Sequence, residues 1–382
     1  MRTKVLSAVF SVSIILASAV PGVSAGPSWT LLSPSGLTYG LFRGGSSTVY
    51  DPVSNELIVY SGFSQDQSQG FTHLNDVWIL SNANGLGGSS AWTNLIPNGA
   101  PGSPVGTHNH SAVYDSVNNR MIIFGGCQGG CEPVTNNVWV LINANGQGGT
   151  PTWQQLAPTG GPPAARASHQ AIYDSTTNTM TIWGGQDGGG VCGGYDDVWV
   201  LSNANGLGGT PTWTQLFPSG KQPVAEYFSN AAYDPTNNIM MVFGGDDEIN
   251  NCGTPTNGVW TLSHANGTGG TPFWTQLQPA TSPPARSNAA AVYDPSQNEL
   301  VVFGGTAPSG FLGDTWVLSH ANGIGGTPQW SRVFPGPSFP TPNAGSRWNG
   351  QAIDTTNNRM IMTDLGNSNS DGPIWSTWLL GD

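Results

Sequence analysis

Charge is what this chain has least of: Asp, Glu, Lys and Arg make up 8% of its 382 residues, and only ten are Lys or Arg. So few cations exclude a general nucleic-acid or anionic-membrane surface, because phosphate binding needs a field of basic side chains. Helical periodicity is missing too: no window of eleven or more residues returns apolar positions at helical spacing. No phosphate loop, nucleophile motif or metal-ligand cluster appears, so no reaction is named and neither cofactor nor metal is implied. Long apolar runs are confined to the start. Met1–Ala25 carries Arg2 and Lys4, an apolar stretch from Val5 to Val20 and small residues at Val23-Ser24-Ala25, the pattern of a cleaved secretory leader. Ser11, Ser13, Ser18 and Pro21 leave that run short for a membrane span. The expectation is a secreted or periplasmic protein with one domain over residues 26–382, free of membrane and nucleic acid. Eight basic residues then face 22 acidic ones.

Glycine (54), proline (29) and tryptophan (15) are abundant, which suits a folded chain of tight turns with ample core material. They recur with a period. Tyr-Asp or its equivalent stands at Asp51, Asp115, Asp174, Asp234, Asp294 and Asp354, spaced by 64, 59, 60, 60 and 60 residues. Within the second unit four short strands are predicted: His110–Tyr114, Met121–Phe124, Val138–Leu141 and Trp153–Leu156. Each Asp opens a turn such as Asp234-Pro235-Thr236-Asn237-Asn238, so these carboxylates are turn formers, not catalysts. Paired glycines at 125–126, 184–185, 244–245 and 304–305 mark where a second strand leaves its sheet in a conformation that a Cβ resists.

Apolar strand, double glycine, variable loop, Val-Trp strand and a later Trp: in this order the chain resembles the Kelch family over residues 26–382. Trp78, Trp139, Trp199, Trp260, Trp316 and Trp378 keep one place in successive units, and Trp92, Trp153, Trp213, Trp274 and Trp330 another. The resemblance implies an all-β, six-bladed propeller with four antiparallel strands per blade. Met360–Asp364 departs from the pattern, so the last blade is expected to be looser or locally rebuilt. The chain ends soon after Trp378, without a sixth fourth-strand Trp. Trp29-Thr30-Leu31-Leu32 matches Trp213–Leu216, so the N-terminal strand is expected to complete the last blade and close the ring.

Sorting the connections by face separates two kinds. The third-to-fourth loops nearly repeat, Asn82–Gly88 recurring as Asn143–Gly149, Asn203–Gly209, His264–Gly270 and His320–Gly326. Lacking carboxylates, they are read as structural turns and not calcium sites. The second-to-third loops all differ, and they hold Cys127, Cys131, Cys192 and Cys252. Four cysteines allow three connectivities, of which Cys127–Cys131 with Cys192–Cys252 is favoured. The Cys-x3-Cys spacing alone argues against zinc.

Eight residues before each Asp stand Arg43, Thr107, Arg166, Glu226, Arg286 and Ser346; His110 and His169 stand five before theirs, and Arg347 lies nearby. The candidate ligand-binding set is therefore Arg43, His110, Arg166, His169, Glu226, Arg286 and Arg347, gathered at the channel mouth for an anionic ligand such as a sugar acid. The competing reading has Arg and His tying neighbouring blades together. The favoured function is a non-catalytic module binding glycan or protein through its variable-loop face. The alternative is a sugar-acid enzyme resembling the exported Kelch sialic-acid mutarotase, with Glu226 as base and Arg166 or Arg286 beside it.

Overall fold

A computed structural model describes residues 27–37, 43–66, 70–188, 193–247, 253–334, 340, 350–369 and 372–381. The leader pattern of Met1–Ala25, the Cys192–Cys252 pairing and Arg347 lie outside the described residues. Within them the chain is all strand and turn, and it forms six antiparallel sheets of four main strands, the blades of a β-propeller. Blade 2 is typical. Ser111–Asp115, Arg120–Phe124, Val138–Ile142 and Thr152–Leu156 pair in sequence order, within about one residue of the strands predicted by pattern. Three inner strands, Ser47–Asp51, Ser111–Asp115 and Asn230–Asp234, alternate in burial, whereas second strands such as Ile239–Phe243 are buried throughout, because sheets cover both of their faces.

Each inner strand packs beside the next, from Ser47–Asp51 round to Gly350–Asp354, which in turn packs against Ser47–Asp51. Ser28–Leu32 pairs antiparallel with Thr377–Gly381 and supplies the outer strand of blade 6. The glue between blades is aromatic. Tyr60, Phe124, Trp183 and Phe243, at one place on four second strands, pack on Trp153, Trp213, Trp274 and Trp330 of the following blade at ring separations of 4.8, 5.1, 5.7 and 5.1 Å. Phe303 of blade 5 meets Trp29 at 5.0 Å, so the N-terminal Trp fills the sixth such place. Each contact of this kind contributes about 0.5–1.5 kcal/mol beyond the area it buries.

Blade 6 is rebuilt at the point where its sequence departs. It has Thr363 where the other blades carry an aromatic and Asp364 where blades 2 to 5 carry glycine, and its second strand runs on as Arg359–Asn369 against Gly372–Gly381; that of blade 1, with Ser61 at the same place, likewise runs on as Glu56–Asp66 against Gly70–Ser81. Trp375 on that extension takes up the missing contact, 4.9 Å from Trp92 of blade 1. Where the glycine pair is present the strand turns out sharply. Gly125 and Gly126 have φ of 71° and 103°, and a Cβ on Gly125 would stand 2.5 Å from the Arg166 carbonyl oxygen.

Candidate binding face and channel

One face carries a repeated hydrogen-bond set that ties neighbouring blades together. Asp51, Asp115, Asp174, Asp234, Asp294 and Asp354 each accept from the backbone N–H two residues on, which fixes the first hairpin turn. The Asn ending that turn, Asn119 for example, takes φ near 50° and donates to the Asn of its own third-to-fourth loop, here Asn145. That loop Asn then donates to the Asp of the preceding blade: Asn145 to Asp51, Asn205 to Asp115, Asn266 to Asp174 and Asn322 to Asp234. Asn84 to Asp354, 2.7 Å across 270 positions, makes the same tie over the chain termini. Burial raises the carboxyls of Asp174, Asp234 and Asp354, and these hydrogen bonds outweigh it, so all three sit below the usual carboxylate range. His264 and His320 occupy the left-handed turn position held elsewhere by Asn.

The arginines are anchors. Arg43, Arg166 and Arg286 are at most 1% exposed, and each forks onto one carboxylate: Asp76, Asp197 and Asp314. Each also donates to the carbonyl at the end of the second strand, Ser61, Gly184 or Gly304. The carboxylate in turn accepts the indole N–H of Trp78, Trp199 or Trp316. Burial raises the Asp197 and Asp314 carboxyls, and the guanidinium contacts more than reverse it. These forks and carbonyl bonds point each guanidinium into its own blade.

A covariation among the repeats carries this arrangement. Two residues before each third-strand Trp stand Asp76, Asn137, Asp197, Gly258, Asp314 and Ser376; where the earlier position is Arg this one is Asp, and where it is Thr107, Glu226 or Ser346 it is not. In blade 4 both partners have changed, leaving Glu226 3% exposed with no guanidinium opposite it. Oε1 accepts from Thr256 at 3.1 Å, while Oε2 has no partner among the described residues. Burial, with Asp247 and Asp246 nearby, pushes its pKa up to about 8. Neither Glu226 nor any of the three arginines lines the channel, so the enzyme reading built on them gains no support.

Among the described residues the channel wall is polar and uncharged. A cavity of about 290 Å³ runs between the inner strands, walled by Ser47, Asn109, His110, Ser111, His169 and Gln351 among others, with no Asp, Glu, Lys or Arg among its described lining residues. His110 Nε2 lies 2.7 Å from Ser47 Oγ, and His169 Nε2 lies 2.8 Å from Ser111 Oγ, each linking one blade to the previous one. A Ser–His contact invites a nucleophile-and-base reading. Burial, with His108 nearby, instead pushes His110 down to about 3, and burial with Arg166 and His110 drives His169 well below its ordinary value. Such imidazoles are neutral hydrogen-bonding struts and poor bases at pH 7. At the mouth a belt of backbone bonds links the blades: Asn109 N–H donates to Gly45, Ser168 to Asn109, Phe228 to Ser168 and Asn288 to Phe228, at 2.7–3.2 Å. These residues, six before each Asp, all have φ between 52° and 63°. Gly and Asn there were a legible sign of a left-handed turn; Phe228 was not.

The variable loops open on the same face as this mouth. Cys127 is bonded to Cys131 in the blade 2 loop. Phe217 and Phe334, on connections between blades, are 78% and 77% exposed, and Phe311 in the blade 5 loop is 44% exposed. These aromatics were not among the residues singled out by pattern, although Phe217 and Phe334 each stand four residues after an outer-strand Trp, Trp213 and Trp330.

Comparison with known proteins bears on the repeat. The model of the KLHDC2/KLHL20/DRC7 Kelch-repeats domain matches residues 26–206 and 178–363. Tip elongation aberrant protein 1 of Schizosaccharomyces pombe is 24% identical over 241 residues, 60% of this chain and 18% of that protein. Human Rab9 effector protein with kelch motifs is 29% identical over 132 residues, 32% of each chain. The chain thus spans a third or less of these relatives. The solved structure of YjhT shares the fold with a TM-score of 0.57 at 12% identity, over 92% of this chain and 95% of that one.

Proposed function

This chain belongs to the Kelch-repeat family, and on that footing we propose that it is a non-catalytic interaction module whose variable-loop face binds a polypeptide ligand. One observation carries the reading. The face of near-identical turns spends its polar groups on ties between blades, while the opposite face presents loops that differ in every blade, exposed Phe217, Phe311 and Phe334, and a mouth uncharged among its described lining residues. Protruding aromatics beside neutral hydrogen-bonding groups suit an apolar and polar peptide segment better than a sugar acid. The presence of kelch motifs in the Rab9 effector protein is consistent with a protein partner. In this reading the six sheets act as one closed ring, sealed by residues 28–32. The leader pattern of residues 1–25 and the Cys127–Cys131 bond support an exported protein.

A peptide library and a glycan array, screened in parallel with wild type and a Phe217→Ala/Phe334→Ala double variant, test the proposal. Peptide retention that weakens about tenfold or more in the variant, as expected for losing two aromatic anchors, is the expected result. Selective capture of glycans, unchanged in the variant, would sink it.

A further inference from the structure

Four metal-ligating side chains from two blades meet on the variable face. His73 stands on Gly70–Ser81 of blade 1, His108 just ahead of the blade 2 inner strand, and Cys127 and Cys131 on the blade 2 loop. His73 Nε2 lies 3.0 Å from His108 Nδ1. The ligand atoms of His108, Cys127 and Cys131 all lie within 4.8 Å of one another. His108 and Cys127 are buried, and a reciprocal pair of backbone hydrogen bonds, 3.0 and 2.8 Å, holds them side by side. The blade 2 loop also reaches His73 through the backbone of Gly129. Spacing along the chain hides this group, because Cys-x3-Cys supplies only half of it and the imidazoles come from other strands.

We propose that this cluster is a redox-gated zinc site: reduction of the Cys127–Cys131 disulfide yields a Cys2His2 set, completed by His108 and His73, that joins blade 1 to blade 2. A tetrahedral zinc ion takes sulfur at about 2.3 Å and imidazole nitrogen at about 2.0–2.1 Å, which needs ligand atoms within a few ångströms of one another. The ligand atoms of His108, Cys127 and Cys131 already come near that range, and His73 Nε2 is 3.0 Å from His108 Nδ1. The steps balance. A dithiol reductant gives two electrons and two protons to the disulfide and is itself oxidised to its cyclic disulfide, leaving two thiols. Zinc then binds both sulfurs as thiolates, and each thiol releases its proton to solvent. In the oxidised chain both sulfurs are committed to each other and the site is closed to metal.

Cobalt(II), added to the full-length protein before and after reduction, reads the site directly. The expected result is no thiolate-to-cobalt charge-transfer band in the oxidised protein and, after reduction, that band together with tetrahedral d–d absorption, at unchanged near-ultraviolet tryptophan dichroism. Both bands should vanish in Cys127→Ser and persist in Cys192→Ser. In His108→Ala cobalt affinity should fall about tenfold or more, and His73→Ala should shift the d–d bands. No band on reduction, loss of the tryptophan dichroism on reduction, or bands indifferent to both histidine variants would each overturn the proposal.

Discussion

Glu226 is the residue whose surroundings differ most from those of its counterparts in the repeat. It stands where Arg43, Arg166 and Arg286 stand, yet Gly258 has replaced the carboxylate that would face an arginine, so blade 4 buries an acid without a counter-charge. Its pKa of about 8 in the folded chain lies above the ordinary 4.5, so the proton binds the folded state more tightly. The sign follows: this group's contribution to stability is complete below pH 4.5 and is lost as pH rises through about 8. Glu226→Gln should therefore flatten the pH dependence of urea unfolding, matching wild type near pH 5 and exceeding it above pH 8 by roughly 2–5 kcal/mol. Equal slopes in the two proteins would show that the carboxyl titrates normally. The Arg–Asp sockets were legible, since each Arg in the one position predicts Asp in the other, but seeing it required comparing two positions across all six units at once. The orphaned Glu226 Oε2 was not legible, because sequence shows a missing partner but not whether solvent replaces it.

At the level of elements, the blades join through an aromatic ending one second strand and a Trp on the next outer strand. Blade 6 breaks the pattern at Thr363 and restores it with Trp375 from a longer hairpin. Trp375 also lies across Arg43, 5.0 Å from its guanidinium carbon, and edge-on to Trp78. Trp375→Ala should cost about 3–5 kcal/mol, the range for truncating a buried Trp, and should speed hydrogen exchange first in Glu56–Asp66 and Arg359–Asn369. A loss below about 1 kcal/mol would mean that the contact is incidental. The irregularity of this blade was visible in Met360–Asp364, but its repair was not. A strand extended past its usual exit depends on pairing with a partner strand, and the usual turn signals do not encode that.

For the whole molecule, residues 28–32 decide whether the six sheets behave as one cooperative body. Trp29 is buried at 4%, packs on Phe303 and completes the sheet that bears Asp354, which Asn84 of blade 1 grips. Trp29→Ala should thus be as damaging as Trp213→Ala, about 3–5 kcal/mol each, although one lies near a terminus and the other mid-chain. Comparing their urea midpoints checks this, and a Trp29 variant within about 0.5 kcal/mol of wild type would mean a strand that is docked but not needed. The pairing of Ser28–Leu32 with Thr377–Gly381 was readable because Trp29-Thr30-Leu31-Leu32 copies the outer strand of the other units.

The ring thus holds one face rigid and leaves the other to vary, and the claim that recognition belongs to the variable face has a direct test. A photo-crosslinking residue is placed at Phe217 or Phe334 on that face, or at Val53 or Val117 on the face of constant turns, all four well exposed in the native fold. With a peptide retained by the wild-type protein, crosslinks should form from Phe217 and Phe334 and not from Val53 or Val117. Equal yields from the two faces, or crosslinks from the valine positions alone, would contradict the account.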